Sequence, residues 1–176
     1  MLATNLYRLL GKRTVSEKKT FKNKSVETEI KDSIFSEQLL EYSQKQILDI
    51  DKSFSFQNFI QGAKGAFKII VEAYNNKRVE EIKHLVSTEV YNTFQKAADV
   101  KNSNFEIFNI ISVNASILNI EVVNNNASIK VKFLSSQKVR LDNKTKNLEN
   151  VIDIWTFEKD MTTNSLAWKL VEVRTD

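Results

Sequence analysis

The chain has 176 residues, of which 41% are apolar, enough for one domain with its own core plus an extension. It contains no cysteine, which excludes disulfides, thiolate metal sites and a cysteine nucleophile, so stability rests on packing; it also contains no proline. The formal charge of +4 is uneven: residues 1–24 carry Arg8, Lys12, Arg13, Lys18, Lys19, Lys22 and Lys24 against Glu17 alone, and the remainder holds 19 basic and 21 acidic residues, a mildly acidic body that argues against general nucleic-acid binding.

In chain order, residues 1 to about 33 lack a sustained apolar period and are rich in Lys, Thr, Ser and Asn. Such a segment buries too little surface to offset the entropy of ordering it, so disorder is expected from about Gly11 to Lys31. Leu2, Leu6, Leu9 and Leu10 with Arg8 and Arg13 also fit a basic amphipathic segment of the kind found in mitochondrial presequences. No stretch reaches the roughly 20 apolar residues that a membrane span needs. Ile34, Phe35, Leu39, Leu40, Tyr42, Ile47, Leu48 and Ile50 form an imperfect stripe, predicting a helix from Ser36 to about Asp49 that docks on the domain.

From Phe56 to Tyr74, apolar residues recur at three- and four-residue steps and predict an amphipathic helix. Gly62 and Gly65 inside it each cost about 1 kcal/mol relative to alanine, so a close approach of another backbone is expected there. A short helix over Arg78–Leu85 follows, and Ser87-Thr-Glu-Val90 offers hydroxyl caps to a third helix carrying Val90, Tyr91, Phe94 and Ala97. After Asn104 the period changes to two. Leu118, Ile120 and Val122 define one strand, Asn124-Asn125-Asn126 a hairpin turn, and Ile129, Val131 and Phe133 the next strand. Asparagine supplies the left-handed turn positions that three glycines cannot cover.

Val151–Lys159 and Ala167–Arg174 make a further strand pair about Thr162-Thr-Asn-Ser165. The first of them is apolar on both faces, as a central strand is. Helices on one face of a curved antiparallel sheet make an α+β fold.

No spacing pattern supports catalysis or metal binding. Asp153, Glu158, Asp160, Tyr91 and His84 are the titratable candidates. Asp153 and Glu158 have opposite parity in one strand, so they do not form an acid–base pair, and solvated charges with a surface histidine are expected. No cofactor is implied. Phe59, Phe67, Phe94, Phe133, Trp155, Phe157 and Trp168 either fill the core or line a pocket for an acyl chain or an apolar peptide side chain.

The helix Phe56-Gln-Asn-Phe-Ile-Gln-Gly-Ala-Lys-Gly-Ala-Phe-Lys-Ile-Ile-Val-Glu-Ala-Tyr74, the strand Ile154-Trp-Thr-Phe-Glu-Lys-Asp160 and Trp168-Lys-Leu170 together resemble a known family. It is the C-terminal domain of subunit forty-four of the translocase of the mitochondrial inner membrane, the import-motor tether, with its bacterial homologues. The resemblance runs from about Phe54 to Val173 and implies a cone-shaped domain similar to nuclear transport factor two, with an apolar cavity between helices and sheet. It implies a non-enzymatic scaffold or tether, partnered by anionic membrane lipid and by chaperone or translocase proteins.

Leu6-Tyr-Arg-Leu-Leu-Gly-Lys-Arg-Thr14 resembles the bacterial juxtamembrane sequence of this family. That places the protein at the cytoplasmic face of the inner membrane, peripheral or anchored by a preceding span, or at the matrix face if mitochondrial. Residues 1–33 then form a basic juxtamembrane segment, 34–53 a docking helix and linker, and 54–176 the α+β domain. Two departures stand out: Lys159 where the family usually has arginine, and Asn75-Asn-Lys-Arg78 where a glycine commonly follows the long helix. A membrane-associated ribosomal protein, which would bind RNA, and a small-ligand-binding or catalytic cone domain are the alternative readings.

Overall fold

A computed structural model describes residues 26–100, 105–141, 144–163, 165 and 167–175 of the chain. Helices α1 (Val26–Ile50) and α2 (Phe56–Asn75), a 3-10 helix (Val79–Ile82) and α3 (Thr88–Val100) precede strands β1 (Phe105–Val123), β2 (Asn126–Leu141), β3 (Lys144–Asp160) and β4 (Lys169–Thr175). The four strands form one antiparallel sheet in sequence order. The helices pack on one face of this curved sheet, the expected α+β arrangement.

Helix α1 begins at Val26 and not at the expected Ser36, so Val26–Lys31, where the composition predicts disorder, is helical. The reason is cooperative. Ser43 and Ile47 are buried in the docked half, and no glycine or proline between Val26 and Ile50 stops the helix from propagating toward its N-terminus. The rest of the predicted disordered stretch lies outside the described residues.

Helix α2 is capped at both ends by identifiable groups. Ser55 Oγ accepts a hydrogen bond from the Asn58 amide at 3.2 Å. At the other end, the Arg78 amide donates to the Ala73 carbonyl (2.7 Å) and the Lys77 amide to the Tyr74 carbonyl (3.2 Å). This is a Schellman motif. Its left-handed position is held by Lys77, with φ of 56°, where glycine carries no steric cost. Gly62 and Gly65 lie elsewhere in the helix, and nothing sits within 4 Å of a Cβ built on either. The expected close backbone contact is absent, and Gly62 instead faces open space at a cleft wall.

Beyond α2 the predicted short helix shrinks to a single 3-10 turn. Its successor, Leu85–Ser87, runs to the edge of β4, where the Leu170 amide donates to the Leu85 carbonyl and the Ser87 amide to the Leu170 carbonyl, both at 2.9 Å. Ser87 Oγ then caps α3 by accepting from the Val90 amide, as the sequence predicts.

In the sheet, Val123 pairs with Asn126, leaving Asn124 and Asn125 as a two-residue hairpin loop with φ of 50° and 62°. Positive φ at both positions is the type I′ geometry, which asparagine tolerates. Asn150, with φ of 56°, sits where β3 gains a residue on β2. A bulge between Ile117 and Asn119 shifts the parity of β1. It puts Ile117 toward the core and leaves Leu118, predicted to share a face with Ile120, 45% exposed.

Lys77→Gly is expected to raise the unfolding free energy by about 0.5–1 kcal/mol, since relief of the left-handed strain outweighs the entropy glycine adds to the unfolded chain. A urea midpoint that rises at constant m-value checks this. An unchanged or lowered midpoint contradicts it.

Candidate functional site

The seven aromatic candidates divide into two groups. Phe67 of α2 stacks on Phe133 of β2, with ring centroids 4.7 Å apart, and leans on Trp155 of β3 at 4.8 Å. These three are buried in the centre of the core, and Phe94 is buried beside Tyr74 under α3. Phe59 and Phe157, also buried in the core, and the partly buried Trp168 reach a cleft of about 470 Å³. Its aromatic wall is edge-to-face: Phe59 meets Trp168 at 4.9 Å and Phe157 at 6.0 Å. Phe54, in the turn before α2, completes it at 5.7 Å from Trp168.

The cleft opens because small residues line the facing side of α2, Gly62, Ala63 and Ala66. Lys159 enters it from β3, and Asp51, Ser53 and His84 stand around it. Lys159 is 9% exposed, and its side chain makes no hydrogen bond or close ion pair to a described residue. Asp51 Oδ1 accepts from the Ser53 amide (2.9 Å) and hydroxyl (2.6 Å). These bonds, with a smaller contribution from the charge of Lys159, hold the Asp51 carboxyl below its usual range.

Sequence reasoning missed Phe54 and Lys159 as cleft residues. The available signal was parity: Trp155, Phe157 and Lys159 share one face of β3.

Among the titratable candidates, His84 is exposed at the rim of the cleft. Asp160 is exposed and accepts from the Thr162 amide and hydroxyl, which keeps its carboxyl low. Glu158 lies on the opposite sheet face, near Lys130 and Glu172. Tyr91 is buried beside the Glu80 carboxylate, which holds its phenol above the usual range.

Asp153 departs from the solvated reading. It pairs across the sheet with Phe133, on the face that Phe67 covers, and is only 7% exposed. Burial pushes its carboxyl up to about 7. It stands well inside the core and does not line the cleft. Asp153 and Glu158 point to opposite faces, so no acid–base pair forms.

Among the described residues no group of three His, Asp or Glu side chains is placed to hold a metal ion. Nor is any described helix long and apolar enough to cross a membrane. Arg8, Lys12, Arg13, Lys18, Lys19, Lys22 and Lys24, the predicted membrane-contacting residues, lie outside the described residues.

Comparison with known proteins adds two findings. The family described as Tim44-like domain matches residues 41–175. An uncharacterised protein of Rickettsia prowazekii is 28% identical over 121 residues, which cover 69% of this chain and 53% of that protein. The chain thus spans about half the length of the curated relative it matches.

Between about pH 4, where an unfolded aspartate ionises, and about pH 7, native Asp153 holds a proton that the unfolded chain has lost. Its contribution to stability is full below that window and lost as pH rises through it. Asp153→Asn is expected to flatten this slope and stabilise the domain at pH 8 by on the order of 1–4 kcal/mol. Urea unfolding of both proteins at pH 5 and pH 8 measures it, and an equal slope in the two sinks the assignment.

Proposed function

The chain belongs to the Tim44-like domain family, which implies a membrane-associated, translocation-related scaffold, and we propose that it acts without catalysis as a tether at the inner membrane. In this reading residues 1–33 lie along the cytoplasmic face and hold the membrane through Arg8, Lys12, Arg13, Lys18, Lys19, Lys22 and Lys24. Residues 34–53 dock on the α+β domain of 54–176, and that domain faces a chaperone or translocase partner. Each Lys or Arg near an anionic surface contributes about 1 kcal/mol, so several together hold a protein that its apolar surface alone would not.

The observation that carries the scaffold reading is the cleft itself. Its walls are mainly aromatic, Phe54, Phe59, Phe157 and Trp168, while Asp51 is held by Ser53 and His84 is exposed at the rim. This is the lining of a seat for an apolar group, an acyl chain or a partner's side chain.

Co-sedimentation with vesicles tests the membrane half. The full chain is expected to bind vesicles containing about 30% anionic lipid and to be released by added salt, as the short screening length at high ionic strength requires. A full-length variant with the seven basic residues changed to glutamine is expected to remain in the supernatant. Equal binding of both proteins to neutral and anionic vesicles removes the electrostatic tether.

A further inference from the structure

The cleft contains one group that an apolar seat does not need. Lys159 lies at the end of β3, two residues beyond Phe157 on the same face, and the residue as a whole is 9% exposed. A lysine in such a place normally keeps its charge by reaching water or a carboxylate. Among the described residues none makes an ion pair with it. Asp51, the acid that senses its charge, is engaged by the amide and hydroxyl of Ser53. Lys159 therefore lines the cleft beside Phe157 without a side-chain acceptor among the described residues.

We propose that this cleft selects an apolar ligand that ends in a carboxylate, with Lys159 as the residue that pairs the negative charge. The inference rests on the reading of the cleft as a seat for an apolar group and adds what that group must carry. The aromatic wall of Phe54, Phe59 and Trp168 takes the hydrocarbon or ring body, and the ammonium at the β3 side takes the head. A single carboxylate suits the charge count. One ammonium, partly offset by Asp51, balances one negative charge at most, and no second buried cation lines the cleft to hold a phosphate dianion.

The volume of about 470 Å³ is in the range of small-molecule sites, sized for a medium-length chain or an aryl acid. His84 at the rim is exposed and leaves selection to Lys159.

Calorimetric titration of the full chain with decanoate, decanol and decylammonium, all below their aggregation concentrations, tests this. Decanoate is expected to bind at least about ten-fold more tightly than decanol, the effect of a partly buried charge-assisted hydrogen bond, and decylammonium more weakly than either. Lys159→Met is expected to bring decanoate to the level of decanol while leaving decanol unchanged, and Lys159→Arg to keep the preference. Asp51→Asn, which removes the competing negative charge without touching the buried stem, is expected to tighten decanoate alone.

Equal binding of decanoate and decanol by the unaltered chain overturns the anion selection and leaves the apolar seat standing. A preference that survives in Lys159→Met, or that does not change in Asp51→Asn, also overturns it. Binding of none of the three probes overturns the seat and the selection together.

Discussion

The contact on which the rest of the structure depends is the stack of Phe67 on Phe133 and Trp155. A chain without disulfides, and with no metal cluster among its described residues, fixes its helices to its sheet chiefly by packing. Here one helical side chain is seated on the two inner strands, with Phe133 and Trp155 themselves 5.4 Å apart at a steep angle. Large aromatics bury 150–250 Å² each and prefer offset or edge-on contact, so such a trio fixes an orientation as well as a depth. With the middle of α2 pinned, its two ends are determined. The C-terminal end turns through Lys77 and delivers Leu85–Ser87 to the edge of β4. The N-terminal end overhangs the last residues of β3, where Gly62, Ala63 and Ala66 are too small to close the gap, and the cleft results.

The parts of this fold that were legible in the sequence are those encoded locally. The stripe of Phe59, Ala63, Phe67, Ile70 and Val71 shows a helix face because a helix repeats that spacing wherever it packs. The Asn124-Asn125 turn is readable because its requirement for positive φ is met by residue type alone. Leu118 was misread because a bulge changes parity without a composition of its own. The length of α1 was misread for a different reason: its N-terminal half follows a nucleus set by the burial of Ser43 and Ile47, which local composition does not encode.

The candidate site was legible as a set of aromatic residues and illegible as a place. Phe67, Phe94, Phe133 and Trp155 are core, and Phe59, Phe157 and Trp168 line the cleft. Nothing in residue type separates Phe157 from Phe133; Phe133 pairs with Asp153, and four residues of displacement along β3 carry Phe157 to the cleft. The glycines were misread because their cost suggested a tight contact, whereas at Gly62 the missing side chain leaves a volume open.

One strand face shows how core and site are joined. Asp153, Trp155, Phe157 and Lys159 alternate along β3 and are all buried, so the two charge-bearing residues stand at opposite ends of an aromatic pair. Their chemistry gives them opposite outcomes. Asp153 has a one-carbon stem beside Trp155, whose Nε1 is itself buried without an acceptor among the described residues, and the short stem cannot carry the carboxylate out to water. Protonation is the response open to it, at the expense of stability as the pH rises. Lys159 has a long four-carbon stem and lines the cleft, the kind of side chain that can cover apolar surface with its stem and keep its head at an opening. The same face therefore changes from a core that tolerates a neutral acid to a mouth that presents a cation, within six residues of one strand. That gradient separates the aromatic residues that fix the shape of the domain from those that line the cleft at the open end of β3.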